Sequence, residues 1–231
     1  MSWQTAHDVA EHLPGTISTQ LQHRRLLRQD VYDVLVNEFI NGDFAPGDRI
    51  RDDEVAQRLN VSRTPVREAL AKLATAGLVD TAPNRYTRTT DLYEGDLDVA
   101  LELLASTYRI GLLQLVRDIS ADDRQVLELL ERRIRVAQPN DAYAVLQAFG
   151  RFCAERMSAP TLRRVIDIVQ PRLQRVLKLN PDVLHSVNAI AVVRRLIVAL
   201  VAGDEPAIES VCATMLVGLR TAIGDAATAS R

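Results

Sequence analysis

Histidine is scarce in this chain and is placed unfavourably for a metal site. Three of the four histidines (His7, His12 and His23) lie before residue 24, and only His185 follows. His185 is close to a predicted helix start, where a surface or capping role is expected. The aspartates and glutamates form no clustered set that would replace imidazole. Imidazole nitrogen and carboxylate oxygen are good donors to borderline divalent cations. Because this sequence offers no clustered set of them, we predict no bound metal and no cofactor.

Cysteine is also rare, which excludes a disulfide framework. Both cysteines, Cys153 and Cys212, lie inside apolar helical patterns. Neither has a histidine at the spacing of a zinc site. We therefore expect two reduced, buried thiols, as is usual for a cytoplasmic protein.

The chain as a whole has no excess of positive charge that would favour binding to nucleic acid. There are 28 basic and 30 acidic residues, and the net charge is −2. A DNA site must therefore be a local patch. The most apolar late segment, 187–202, contains Arg194 and Arg195 and is short for a membrane span. The N-terminus lacks a basic start followed by an apolar run, so we predict a cytoplasmic protein with no membrane contact.

The residue arrangements of common enzyme classes are missing too. The sequence has no glycine-rich phosphate loop and no His–Ser or Cys–His arrangement. The acidic pairs Asp52–Asp53 and Asp122–Asp123 lie at predicted helix starts, where negative charge is favourable in any case. We therefore predict that the chain is not an enzyme.

Sparse glycine and aromatic residues, with abundant Leu, Ala, Val and Arg, favour helices. We predict a mainly α chain with a flexible arm over 1–22, a winged helix-turn-helix DNA-binding domain over 23–90 and an all-helical antiparallel bundle over 91–231. Apolar spacing and the Gly, Pro and capping residues at the breaks predict helices at 26–41, 52–59, 62–76, 95–117, 121–137, 141–158, 161–178 (kinked at Pro171), 182–202 and 205–223, and a hairpin of 78–81 with 86–90.

The helix pair 52–59 and 62–76 has helix-turn-helix spacing, with Ser62 as the predicted cap of the second helix. Its apolar stripe leaves Arg63, Thr64 and Arg67 outside. An arginine there can donate two hydrogen bonds to guanine in the major groove. The alternative is a solvated charged face, the usual location of an arginine-bearing helix surface. The hairpin, which carries Asn84 and Arg85, is placed like a wing beside it.

The stretch GDRIRDDEVAQRLNVSRTPVREALAKLATAGLVDTAPNR, and above all SRTPVREAL, resembles the winged helix of the GntR family of bacterial transcription regulators. The helical remainder is similar to the FCD domain of that family's FadR branch. The resemblance implies a homodimer, a pseudo-palindromic operator in double-stranded DNA and a small-molecule effector. It also implies DNA contacts from Ser62, Arg63, Thr64, Arg67, Asn84 and Arg85. Asp53 stands where many relatives carry a DNA-contacting arginine, so either the nearby Arg51 substitutes for it or that contact is absent.

The helical domain departs from its relatives at the metal site that many FCD domains carry. Where relatives read D-x-x-F-H, this chain reads LQAFG, which gives Leu146 and Gly150. The other two family histidines correspond to Val193 and Met215. The first-helix arginine and glutamate of the family correspond to Leu104 and Tyr108.

Two hypotheses fit the apolar residues at these positions. In the first, they are core stripes that fill the bundle and leave no cavity. In the second, they line an apolar effector pocket that replaces the metal site, and an acyl or ring compound binds there. The predicted lining is Leu104, Tyr108, Leu146, Phe149, Gly150, Cys153, Val193, Ile197, Cys212 and Met215.

For the whole chain we predict a DNA-binding transcription regulator, more often a repressor than an activator, whose affinity for its operator is modulated by a small ligand. The alternative is a constitutive dimeric regulator without an effector.

Overall fold

The computed structural model describes residues 18–82, 85–93 and 95–229, with side chains from residue 29 onward. It has ten α-helices, one short 3-10 turn and one hairpin in the described segments. In chain order they are α1 (Ser18–Asn41), α2 (Asp52–Arg58), α3 (Arg63–Thr75), β1 (Val79–Ala82), β2 (Tyr86–Thr89), α4 (Leu97–Asp118), α5 (Ala121–Ile134), the 3-10 turn (Pro139–Asp141), α6 (Ala142–Arg156), α7 (Pro160–Leu179), α8 (Pro181–Ser186), α9 (Ala189–Ala202) and α10 (Glu205–Ala229). This confirms the mainly α fold with an N-terminal winged helix-turn-helix and a helical C-terminal part.

The N-terminal unit packs α1 and α2 against the apolar stripe of α3. Leu35, Phe39, Val66 and Leu73 are fully buried in its core. Asn60 adopts a left-handed conformation (φ +53°) in the tight turn before α3. The two strands of the hairpin are antiparallel, and their register runs from the pair Val79–Thr89 to the pair Ala82–Tyr86. The hairpin completes the unit as a wing.

The N-terminal unit departs from the sequence predictions at the start of α1 and at the cap of α3, and α3 ends at a glycine. Helix α1 begins at Ser18, so it includes the last five residues of the predicted 1–22 arm, whose other residues lie outside the described part of the chain. Ser62 has the extended backbone of an N-cap, but its side chain accepts no capping hydrogen bond, so the predicted cap is positional only. Gly77 has a φ of +71° after the C-cap Ala76, as a helix-ending glycine requires.

The C-terminal unit is a bundle of α4 to α10 around two adjoining apolar clusters. The predicted helix 182–202 is two helices, α8 and α9, separated at Val187–Asn188. Asn188 is left-handed (φ +49°, ψ +53°), a conformation that Asn tolerates better than most residues and that ends regular helix geometry. Pro171 lies inside α7 and is buried.

Helix α7 is the bundle element that packs on the N-terminal unit. The guanidinium of Arg175, which is 2% exposed, donates to the carbonyl of Thr90 at 2.9 Å and to that of Phe44 at 3.5 Å. Its burial lowers the pKa of Arg175. The Arg172 side chain lies against Gly77, where an added Cβ would be 3.2 Å from Arg172 Cδ. The glycine that follows α3 therefore contacts α7, and α1 packs on α7 as well.

Helices α4 and α10 are long and apolar enough to span a membrane by composition alone. Both pack in the bundle and are joined to each other by ion pairs. Arg117 Nε lies 2.9 Å from Glu205, Arg109 Nη1 lies 3.3 Å from Glu209, and Arg220 pairs with Glu102. Charged residues along both helices are unfavourable in a bilayer.

Candidate nucleic-acid interface and internal cavity

The exposed face of α3 carries the side chains that the sequence places toward DNA. Val66, Ala69, Leu70 and Leu73 are buried, whereas Ser62, Arg63, Thr64 and Arg67 are exposed. The exposed set begins at the residue before the helix and continues through its first turns. The backbone N–H groups of a first helical turn have no partner within the helix and can bind a phosphate.

Acidic residues of α2 neutralise the arginines of this face in the free protein. Arg67 Nε donates to Asp52 Oδ2 at 2.5 Å, and Arg63 Nη2 lies 3.3 Å from Asp53 Oδ2. The hydrogen bond from Arg67 holds the pKa of Asp52 below its ordinary value. Arg51, the predicted substitute for the family arginine, pairs with Glu54 at 3.0 Å. The pairing of Arg63 and Arg67 with α2 was not predicted, because it depends on the geometry of the turn between the two helices.

The wing extends the positively charged surface in part. Arg85 is exposed at the turn between β1 and β2, while Asn84 lies outside the described residues. Arg88, which the sequence also places on the wing, pairs with Asp80 at 3.0 Å and lies over the ring of Tyr86. Arg85 is therefore the described wing residue best placed to contact a DNA backbone.

An apolar cavity of about 130 Å³ lies inside the bundle between α4, α6, α7 and α10. Seven of the ten predicted lining residues lie at its wall: Leu104, Tyr108, Leu146, Phe149, Gly150, Cys212 and Met215. The other three, Cys153, Val193 and Ile197, are packed in the buried core and do not line it, because their side chains fill the contact between α6 and α9.

The cavity has a small polar wall made of uncharged groups. Tyr108 Oη donates to Gln170 Oε1 at 2.5 Å, and Gln174 Nε2 donates to Gln147 Oε1 at 2.6 Å. An added Cβ at Gly150 would lie 3.1 Å from Tyr108 Oη, so the tyrosine takes the room beside that glycine. The three glutamines were not predicted. The signal was present in the sequence, since Gln170 and Gln174 lie four residues apart on one face of α7.

The titratable groups at the cavity are neutral at physiological pH. Burial raises the pKa of the Tyr108 hydroxyl and raises that of the Cys212 thiol to about 11. Among the described residues that line the cavity, none has a charged side chain. Within the described segments, no three His, Cys, Asp or Glu side chains come together as metal ligands. His185 lies at the end of α8, where its Nε2 is 3.0 Å from the Pro139 carbonyl.

Comparison with known proteins identifies the N-terminal unit. Residues 27–88 match the family described as bacterial regulatory proteins, gntR family. The HTH-type transcriptional repressor RspR of Escherichia coli K12 is 41% identical over 70 residues, which are 30% of this chain and 31% of that protein. The probable D-xylose utilization operon transcriptional repressor of Paenarthrobacter nicotinovorans is 26% identical over 184 residues, which are 78% of this chain and 81% of that protein.

A solved structure shares the fold of most of the chain. The structure of E. coli McbR/YncC matches with a TM-score of 0.69 at 20% identity, and the match covers 86% of this chain and 97% of that one. The chain spans about a third of the length of RspR. Both curated relatives are named as transcription repressors, which agrees with the prediction that the chain is not an enzyme.

Proposed function

Because residues 27–88 match the gntR family of regulators, we propose that this chain is a bacterial transcription regulator, and by preference a repressor. The observation that carries the proposal is the exposed start of α3, where Arg63, Thr64 and Arg67 lie together outside the buried stripe. Arginines at this position of a second helix can read guanine O6 and N7. Ser62, Thr64, Arg51 and the wing residues Asn84 and Arg85 supply backbone contacts.

The proposed assembly is a cytoplasmic homodimer on a pseudo-palindromic operator, as in the FadR branch with its FCD domain. A two-fold axis that relates two α3 helices matches two half-sites on one face of the duplex. The fold match supports this assignment, because it includes the helical bundle as well as the DNA-binding unit.

The proposed effector is a small, uncharged compound that occupies the bundle cavity. A cavity of about 150 Å³ lined by aliphatic and aromatic residues holds one benzene molecule. The cavity here, about 130 Å³, is of similar size, so we expect it to take one ring or a short chain. A carboxylate entering it would lose its hydration without meeting a cation, which is costly. A neutral amide, hydroxyl or carbonyl would instead find Tyr108 and the glutamines.

The proposed route from effector to DNA runs through α7. One face of this helix supplies Gln170 and Gln174 to the cavity. The other face places Arg172 against Gly77 at the end of α3 and Arg175 on two carbonyls of the DNA-binding unit. A ligand that favours one position of α7 therefore changes the spacing of the two α3 helices, and with it the operator affinity.

Two measurements test these proposals separately. First, in vitro selection followed by fluorescence anisotropy measures whether the protein enriches a two-fold related DNA sequence, as expected of a regulator. Failure to enrich any sequence would refute DNA regulation. Second, calorimetry compares benzamide with benzoate, which have the same shape but differ in charge at neutral pH. We expect benzamide to bind more tightly than benzoate. The Leu146→Trp variant, in which the larger side chain fills the cavity, should bind benzamide more weakly than wild type does.

The outcome of the second test also addresses the alternative. Tighter binding of benzoate than of benzamide would contradict the neutral-effector proposal. Absence of binding by either compound, together with operator binding that no ligand changes, would favour the constitutive regulator with no effector.

A further inference from the structure

A short contact at the exposed face of α3 joins α2 to α3. Arg67 is 67% exposed at its side chain, yet its Nε atom is held 2.5 Å from Asp52 Oδ2, and Asp52 is only 25% exposed. Asp52 belongs to the first turn of α2 and lies fifteen residues before its partner. The contact therefore fixes the arginine across the helix-turn-helix, not along one helix.

The atom used in this hydrogen bond decides what the arginine can still do. A guanidinium has five N–H donors in a planar fork, and guanine is read by a fork of two parallel hydrogen bonds. The bond to Asp52 is made by Nε, so it does not use the pair of terminal nitrogens. Asp52 can thus orient the fork while leaving the guanine-reading edge available.

The charge of Asp52 has a second consequence. The bond from Arg67 lowers the pKa of Asp52, so the carboxylate is charged throughout the neutral range. A paired arginine attracts phosphate less than a free one does, and contacts to phosphate supply most sequence-independent affinity. The same pair therefore weakens binding to any DNA while it supports reading of one base.

We infer that Asp52 is a positioning residue that sets the sequence specificity of Arg67, and this rests on the proposed DNA-binding function. Asp53 does not supply an equivalent contact. It lies 3.3 Å from a terminal nitrogen of Arg63, and both side chains are more than half exposed, so the pair is loose and uses the guanine-reading edge.

The test is a double-mutant cycle on the full chain, with Asp52→Asn, Arg67→Lys and both together. Operators selected with the wild-type protein and random-sequence DNA of equal length are titrated by fluorescence anisotropy. We expect Asp52→Asn to lower the ratio of operator to random affinity by about three- to tenfold, a part of what a bidentate arginine–guanine pair supplies. Most of that change should come from a weaker base contact in the operator, because the lost negative charge strengthens phosphate contacts on both DNAs alike.

In the Arg67→Lys background the same substitution should leave the ratio unchanged, because lysine cannot form the fork. Asp43→Asn is the matched control, with the same charge change on an exposed residue of the same unit, and it should not alter the ratio. Circular dichroism melting checks that the variants fold.

Two results would overturn the inference. An equal loss of specificity from Asp52→Asn in the Arg67→Lys background would mean that Asp52 acts by charge alone. Loss of operator binding that is independent of Arg67 would mean that Asp52 contacts a base itself. If the wild-type protein selects no sequence, the proposed DNA-binding function fails, and that result is recognised before any variant is made.

Discussion

At the level of single residues, Arg67 and Arg63 owe their proposed role to their position on α3 and not to a general excess of basic residues. The net charge of −2 gives no general attraction to DNA, so the start of α3 must supply it locally. The apolar stripe of α3 predicted which residues face outward. Their pairing with Asp52 and Asp53 was not predictable, since it depends on the left-handed Asn60 and the tight turn around it.

Removal of the Arg67 side chain tests its role directly. We expect Arg67→Ala to weaken operator binding by about 1–3 kcal/mol if the residue reads a base. Fluorescence anisotropy at fixed salt gives the difference. Arg164→Ala, which removes an exposed arginine of α7, should leave the affinity as it is. Equal operator binding by Arg67→Ala and wild type would contradict the assigned role.

A second residue, Asp123, gives a pH-dependent contribution to stability. Its carboxylate accepts from Arg156 Nε and from the Ser120 hydroxyl in a capping box at the start of α5, and these contacts, first of all that of Arg156, lower its pKa. A lowered folded-state pKa gives stability that is complete above the unfolded pKa of about 3.9 and is lost as pH falls through the folded value.

We therefore expect Asp123→Asn to reduce the free energy of unfolding by about 1 kcal/mol at pH 7. The difference from wild type should shrink as pH falls below about 4, where the carboxylate of the unfolded wild type begins to bind a proton, and it should be lost once pH falls below the lowered folded pKa. Urea unfolding followed by circular dichroism at several pH values measures it. A difference that is constant down to about pH 2.5, well below the unfolded pKa, would show that the charge of Asp123 is not the cause.

At the scale of elements, the sequence predicted the helix-turn-helix, the wing and most bundle helices, because apolar spacing and glycine or proline breaks define them. The break between α8 and α9 was not predicted. Apolar residues continue across it, and a single left-handed Asn188 interrupts the helix without a glycine or proline signal. Similarly, nothing in the sequence pattern shows that α7 packs on the DNA-binding unit.

The contact made by α7 can be broken at one residue. Arg175→Met keeps most of the length of the side chain and removes its donors, so the carbonyls of Thr90 and Phe44 lose a buried partner. We expect a loss of about 1–3 kcal/mol in unfolding free energy. Urea unfolding measures this loss, with Arg163→Met, an exposed site on α7, as the control. Unchanged stability would show that the junction does not depend on Arg175.

At the scale of the whole molecule, helical spacing predicted three apolar stripes without showing whether they enclose space. A cavity of about 130 Å³ corresponds to a few missing methyl groups among many packed side chains, which spacing alone does not determine. Seven of the ten predicted residues do line it, while Cys153, Val193 and Ile197 pack between α6 and α9. The fold and the DNA-facing surface therefore follow from the sequence more closely than the cavity does.

As a regulator, this molecule should bind a specific DNA sequence through two copies of α3. The most direct measurement is in vitro selection with the full chain, followed by affinity titration of the selected sequence at several salt concentrations. We predict half-sites about 10 base pairs apart or a multiple of that, and an affinity that falls steeply as salt rises. Enrichment of no common sequence, or an equal affinity for selected and unselected DNA, would contradict it.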